Sequence, residues 1–271
     1  MSILPVPGAQ LSYEVSGSGP LLILIPGASG TGESFRPLAA HLISRYQMVI
    51  YDRRGFSQSK LDGPQDYAHR LAVDADDVRR LIEHVTDQPA MVFGNSSGAL
   101  VALEVITRFP ERVQTVVAHE PPAVKLLPDM ATWLAFFDGV YDAYRTHGVP
   151  EAMHQFASKT LGTADHQVLS RAMREHAHEY TLSNAGYWME HEVRQYPRAE
   201  LDLEQLAAHA EQIVLAGGRD SHDQMTYQPN TVLAQQFGCE IIDFPGGHLG
   251  FLSFPVEFAQ ALVNVLTTEL I

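Results

Sequence analysis

The sequence predicts an α/β protein with a mostly parallel sheet flanked by helices and one helical cap inserted into it. Three observations carry this. Six short apolar runs recur along the chain: "LLILI" (Leu21–Ile25), "MVIY" (48–51), "AMVF" (90–93), "TVVA" (115–118), "QIVLA" (212–216) and "EIIDF" (240–244). Unbroken apolar runs of this length mark strands buried on both faces. Helical spacing fills 33–44, 67–85, 97–108 and 255–266, and strand alternating with helix builds a parallel sheet covered on both sides. The alternation then fails between Pro121 and about Ala208, where only helical patterns occur.

Taken in order, "LPVPG" and "QLSYEV" open the chain as a hairpin on the sheet edge. The helix over 67–85 is marked by apolar Leu71, Val73, Val78, Leu81, Ile82 and Val85. In the insertion, "DMATWLAFFDGVYDAYRTHG", "PEAMHQFASKTLG", "DHQVLSRAMREHAHEY" and "SNAGYWMEHEVRQYP" are separated by Gly and Pro. The expected division is a core of 1–121 and 208–271 with a cap of 122–207. No Gly/Ser linker separates the two, so the cap should pack on the core.

Composition narrows the partners. Acidic residues outnumber basic ones 32 to 18, for a formal charge of -14, which repels nucleic acid and anionic membrane alike. Cys239 is the single cysteine and can form no internal disulfide. No apolar run nears the roughly 20 residues that cross a bilayer, and "MSILPVPGAQ" has neither the basic start nor the apolar stretch of a signal peptide. A cytoplasmic protein with no membrane association is expected.

The chemistry centres on Gly94-Asn95-Ser96-Ser97-Gly98, a G-x-S-x-G with a strand before it and a helix after it. Glycines permit a turn so tight that Ser96 projects above the sheet in a strained conformation, while the helix starting at Ser97 points its positive end at the reaction centre. Without that context the pattern would be only a flexible joint. A serine hydroxyl needs a base. Among thirteen histidines, His248 in "PGGHLGF" is the one on a Gly-flanked loop between a late strand and the last helix. His176 and His178, two apart, share no helix face and read as solvated, so no metal site is expected. Asp220 in "GGRD" follows the strand 212–216 and is the expected acid, giving the chain order Ser96, Asp220, His248. The oxyanion donors are expected to be the backbone N–H groups of Ser97 and of Ala28, the latter in the Gly-rich turn "IPGASGTG".

These residues resemble the α/β-hydrolase superfamily through "PGASG", "YDRRGFSQS", "GNSSGA", "RFPERV", "GGRD" and "GGHLGF". Ser57 stands where the superfamily turn D-x-R-G-x-G-x-S usually has glycine. More narrowly, "GNSSGALVALEV", "RFPERV" and "HEPP" are similar to the zearalenone-type lactone hydrolases. That resemblance implies a glutamate acid at the end of the strand after the nucleophile helix, where Glu120 lies. Asp220 and Glu120 thus compete for one histidine, with Glu120 otherwise bracing the turn around Pro121 and Pro122.

In the cap, Trp133, Phe137 and Tyr141 fall on one greasy helix face, and Tyr187 and Trp188 lie on a later helix. Each either packs against its neighbours or roofs a pocket above Ser96. Such a lid favours a lipophilic substrate. The expected activity is hydrolysis of a lipophilic ester or lactone through an acyl-enzyme, with no cofactor. The same triad also serves C-C bond, amide or perhydrolase chemistry, and the same pocket a small-molecule receptor, alternatives that fold does not decide.

Overall fold

Alternate residues of one strand feed two separate cores, which is how an unbroken apolar run becomes the centre of a sheet. The computed structural model describes residues 1–175 and 179–267. Within Leu21–Ile25, the side chains of Leu21, Ile23 and Ile25 join the cluster on one face. Leu22 and Leu24 join the cluster on the other. The strands are β1 (Ser2–Val6), β2 (Ala9–Gly17), β3 (Leu21–Ile25), β4 (Gln47–Tyr51), β5 (Lys60–Leu61), β6 (Ala90–Asn95), β7 (Val113–His119), β8 (Ile213–Gly218) and β9 (Ile242–Phe244). They form one sheet in the order β1-β2-β4-β3-β6-β7-β8-β9, with β5 paired to β2. The β1/β2 hairpin closes through Pro7 and a left-handed Gly8 (φ 77°). From β4 to β9 every pairing is parallel.

The helices are α1 (Arg36–Ala39), α2 (Arg70–Val85), α3 (Ser97–Arg108), α4 (Met130–His147), α5 (Val149–Thr160), α6 (Thr163–Glu175), α7 (Thr181–His191), α8 (Leu203–Ala208), α9 (Gln228–Phe237), α10 (Gly250–Ser253) and α11 (Pro255–Thr267). Buried residues of α2, α3, α8 and α9 cover one face of the sheet, and those of α1, α10 and α11 the other. The helix expected over 33–44 is shorter. It is a 3₁₀ turn (Gly32–Phe35) and α1, followed by turns whose bonds alternate between three- and four-residue spacing, as in His41 N–H to Leu38 O and Ile43 N–H to Ala39 O. His176 and His178 lie outside the described residues. Among the described residues, no helix is long and apolar enough to cross a membrane.

Helices α4 to α7 lie between β7 and β8 and share their own apolar cluster, which includes Phe137, Val140, Met153, Trp188 and Met189. Tyr196 and Leu206 instead belong to the sheet cluster, so the chain returns to the sheet before the expected boundary at 207. A buried polar knot joins the two parts. The Arg53 guanidinium donates to Asp74 (2.6 Å), Glu192 (2.8 Å) and the Tyr196 hydroxyl (2.8 Å). Breaking such a pair by removing one partner leaves a buried charge uncompensated, at a cost of about 3–5 kcal/mol. The insertion is therefore anchored at the edge where the parallel strands end, the usual place for a site in such sheets.

Candidate active site

At the end of β6 the chain turns into α3 through Ser96, whose backbone sits at φ 56°, ψ -123°. Such a conformation costs a non-glycine residue about 1–3 kcal/mol and persists only where its surroundings enforce it. Two close approaches enforce it here. A Cβ on Gly94 would lie 2.2 Å from Gly98 O, and one on Gly98 would lie 2.1 Å from Ile25 O. Only glycines let β6, α3 and the end of β3 converge this tightly. The Ser96 N–H donates to His119 O (2.9 Å), tying the elbow to β7. Ser97, first residue of α3, has no acceptor for its N–H one turn earlier in the helix.

The second N–H is brought by the turn after β3. A Cβ on Gly27 would lie 2.9 Å from both Asn95 O and Ser96 Cβ, so Gly27 allows this turn to rest against the serine, with Ala28 next to it. Gly27 O is braced from behind by the N–H of Gly30 (3.0 Å) and by Arg53 (3.2 Å). From α7, the Asn184 amide donates to Ser29 O (2.9 Å) and the Ser57 hydroxyl (2.8 Å), and its carbonyl accepts the Ser57 N–H (2.8 Å). Ser57 adopts φ 45°, the left-handed region that explains why glycine is usual there.

The carboxylate that meets His248 is Glu120, and Asp220 does not reach it. His248 Nδ1 lies 2.6 Å from Glu120 Oε2. Glu120 also accepts the Gly218 N–H (2.7 Å) at Oε1 and the Thr226 hydroxyl (2.8 Å) at Oε2. Its own backbone is left-handed, φ 52°, and its N–H donates to Ala216 O (3.1 Å). That kink turns the side chain from the end of β7 toward β8 and the histidine loop. Asp220 is exposed. Its N–H donates to Gly246 O (3.0 Å), just as that of Arg219 donates to Phe244 O (2.9 Å), which extends the β8/β9 ladder and leaves the side chain outside.

Burial would raise the Glu120 carboxyl, but the hydrogen bond from His248, the charges of His248 and His119 and the Gly218 N–H outweigh it and hold it down to about 2. An ionised acceptor places the imidazole proton on Nδ1 and leaves Nε2 with a lone pair. His119, fully buried, has its Nδ1 3.0 Å from Asn95 Oδ1, and burial holds its pKa down to about 4 against the pull of Glu120. It therefore stays neutral at pH 7 and takes up charge only in the acid range, where it opposes protonation of Glu120.

Ser96 and His248 line one cavity of about 320 Å³. Ala28 from the core, and Phe156, Leu169, Met173 and Trp188 from the insertion, complete a mostly apolar wall. Of the five aromatic residues expected from sequence, only Trp188 lines it. Trp133 and Phe137 pack within the insertion around Phe136. Tyr141 lies under Arg194, 3.6 Å from its ring centroid, and Tyr187 bonds Arg70 (2.7 Å) and stacks edge-on with Phe56. The aromatic face of α4 is thus the insertion's internal packing, and the insertion's share of the wall comes mainly from α5, α6 and α7. A second cavity of about 370 Å³ shares Met153, Leu169 and Met173 with the first.

One buried polar residue has no signal in the sequence. Asp165, near the start of α6, accepts the backbone N–H of His248 (2.8 Å) and of Leu249 (3.0 Å). A lone acid in the first turn of a helix is ordinary, and nothing local tells that it faces a loop 83 residues away. Burial pushes its carboxyl up, partly offset by the charge of His248 and these two N–H groups. Among the described residues, no group of three or more His, Cys, Asp or Glu could hold a metal.

The chain matches the α/β hydrolase fold family over residues 20–255. The uncharacterized hydrolase YraK of Bacillus subtilis (strain 168) is 33% identical over 272 residues, covering 98% of this chain and 96% of that one. A zearalenone hydrolase of Cladophialophora bantiana is 27% identical over 269 residues, covering 97% and 95%. Among solved structures, a thermophilic esterase from Thermogutta terrifontis superposes with a TM-score of 0.78 at 16% identity over 98% of each chain, a likeness of fold. With this sheet order, this elbow and these relatives, the chain belongs to the α/β-hydrolase family and is a hydrolase of that fold.

Proposed function

We propose that the protein is a serine hydrolase that cleaves a lipophilic carboxylic ester or lactone through an acyl-enzyme. The observation that carries this reading is the 2.6 Å contact of His248 Nδ1 with Glu120, made by a histidine that opens on the same apolar cavity as Ser96. His248 Nε2 takes the proton of Ser96 Oγ as that oxygen attacks the carbonyl carbon. The alkoxide is received by the N–H groups of Ala28 and Ser97 at the positive end of α3. His248 then returns the proton to the departing alcohol oxygen, and by the reverse sequence a water molecule releases the acid. In a lactone both products leave as one hydroxy acid. These steps call for no metal or cofactor. The zearalenone hydrolase likeness and the apolar wall favour a lactone or ester with a bulky hydrocarbon part over a sugar or phosphate ester.

The test is a fluorophosphonate probe with mass-spectrometric mapping, together with a panel of aryl esters and lactones. Labelling is expected on Ser96 and not on Ser97, and Ser96→Ala should lower turnover at least about a thousandfold. Mapping to another serine, or equal turnover in the variant, overturns the reading.

A further inference from the structure

The loop that carries His248 is held from two sides. Glu120 grips the ring from the sheet, and Asp165 grips the backbone from the insertion. Asp165 is only 4% exposed, and its two carboxylate oxygens are divided between two consecutive N–H groups, those of His248 (2.8 Å) and Leu249 (3.0 Å). Among the described residues no ion pair is made to it, and the charge of His248 and the two N–H groups are what offset its burial. Burying a carboxylate this way is costly, and packing α6 on the loop would be easier with an apolar side chain. The loop is shaped for it: a Cβ on Gly247 would lie 2.2 Å from Asp165 Oδ2, so only glycine lets the carboxylate come this close. Removing Asp165 would leave two adjacent N–H groups to water and free the backbone that aims the ring.

We propose that Asp165 is a positioning residue for His248. It fixes the backbone at 248–249 so that the imidazole holds Glu120 on Nδ1 while presenting Nε2 to Ser96, and because it stands on α6, seating of the insertion becomes a condition for a working base. This rests on the reading of His248 as the base. The insertion then does more than enclose substrate. Through Asp165 it aims the base, just as Asn184 holds Ser29 and Ser57 near the oxyanion turn.

The experiment compares wild type, Asp165→Ala, Asp165→Asn and Ser96→Ala by two readouts: kcat and KM on an aryl ester, and the far-downfield proton resonance of the His248 Nδ1–H. Asp165→Ala is expected to lower kcat about thirtyfold to a hundredfold, the scale of a misaimed catalytic group, with KM within about threefold of wild type. Its downfield resonance should shift or vanish, whereas Ser96→Ala keeps it. Asp165→Asn retains one carbonyl acceptor but turns its NH2 toward the other N–H group, so it should recover kcat in part, to about three- to fivefold above Asp165→Ala. An unchanged kcat and resonance in Asp165→Ala overturns the proposal. So does an Asn variant as damaged as Ala with KM and melting temperature both altered, since that is the pattern of a packing role. If wild type neither turns over nor labels at Ser96, the functional reading falls, and the resonance still decides on Asp165: a signal unmoved in Asp165→Ala rejects it.

Discussion

Glu120→Gln tests the choice of acid directly. All three groups around this carboxylate are donors: His248 Nδ1–H at 2.6 Å, the Thr226 hydroxyl at 2.8 Å and the Gly218 N–H at 2.7 Å. A carboxylate accepts from all three, but an amide has one oxygen and one NH2 and must present the NH2 to one side. If the amide oxygen stays with Gly218, the NH2 faces His248 and selects the tautomer with the proton on Nε2, which cannot take a proton from Ser96. If it turns round, the NH2 opposes the Gly218 N–H and a buried donor goes unpaired, at about 1–3 kcal/mol. The expected loss in kcat is about 10³ to 10⁴, or roughly 4–5.5 kcal/mol of transition-state stabilisation. Asp220→Asn, on an exposed side chain, should stay within about twofold of wild type. Both variants are assayed on the same aryl ester well below their melting temperatures, since in a chain of this size each kcal/mol lost lowers Tm by only about 2–4 °C. With folding matched, a larger loss in Asp220→Asn than in Glu120→Gln would refute the assignment.

Two further outcomes follow from the cavity and from the buried acid. Leu169→Ala trims a side chain that lines both the cavity at Ser96 and its neighbour, and should raise kcat/KM for octanoyl relative to butanoyl aryl esters by about tenfold; Tyr141→Phe, outside the cavity, should not, and an unchanged chain-length profile in Leu169→Ala would reject the assigned wall. Glu120 falls from an ordinary 4.5 to about 2 in the folded protein, so its stabilisation, roughly 3 kcal/mol, is fully present above pH 4.5 and lost as pH falls toward 2. Urea midpoints of wild type and Glu120→Gln should therefore converge below pH 4.5, and a gap that stays constant down to pH 3 would contradict the low value.

Much of the fold is legible because burial on both faces leaves a strong mark. β3, β6 and β7 are centre strands whose every second residue enters a different core, so they read as continuous apolar runs. Elements with weaker marks escape. β5 is two exposed residues, and α9 (Gln228–Phe237), which crosses from β8 to β9, packs on the sheet through a short stripe of Leu233, Ala234 and Phe237 interrupted by the buried polar Asn230. The aromatic residues of α4 mislead for the opposite reason. A greasy helix face shows that something covers it, and here the cover is its own neighbours α5 and α7.

The site divides along the same line between local and distant causes. Ser96 is legible because its strain is bought by glycines two residues away on either side. Asp220 and Glu120 both follow the ends of adjacent parallel strands, and spacing alone favours the one nearer in sequence to His248. What decides is backbone direction. Residues 219 and 220 continue the ladder with β9, so the Asp220 side chain is carried outward. Glu120 breaks from its strand at φ 52°, a conformation a glutamate rarely adopts, and this sends its side chain beneath the loop where Gly218, Thr226 and His248 converge. No residue type near position 120 announces that kink, because three distant donors hold it. Placing a second carboxylate beside an already ionised, fully buried Glu120 would raise the pKa of one or both. With Glu120 in place, an exposed Asp220 leaves the imidazole of His248 meeting one carboxylate, while Asp165 is confined to the backbone N–H groups of 248 and 249.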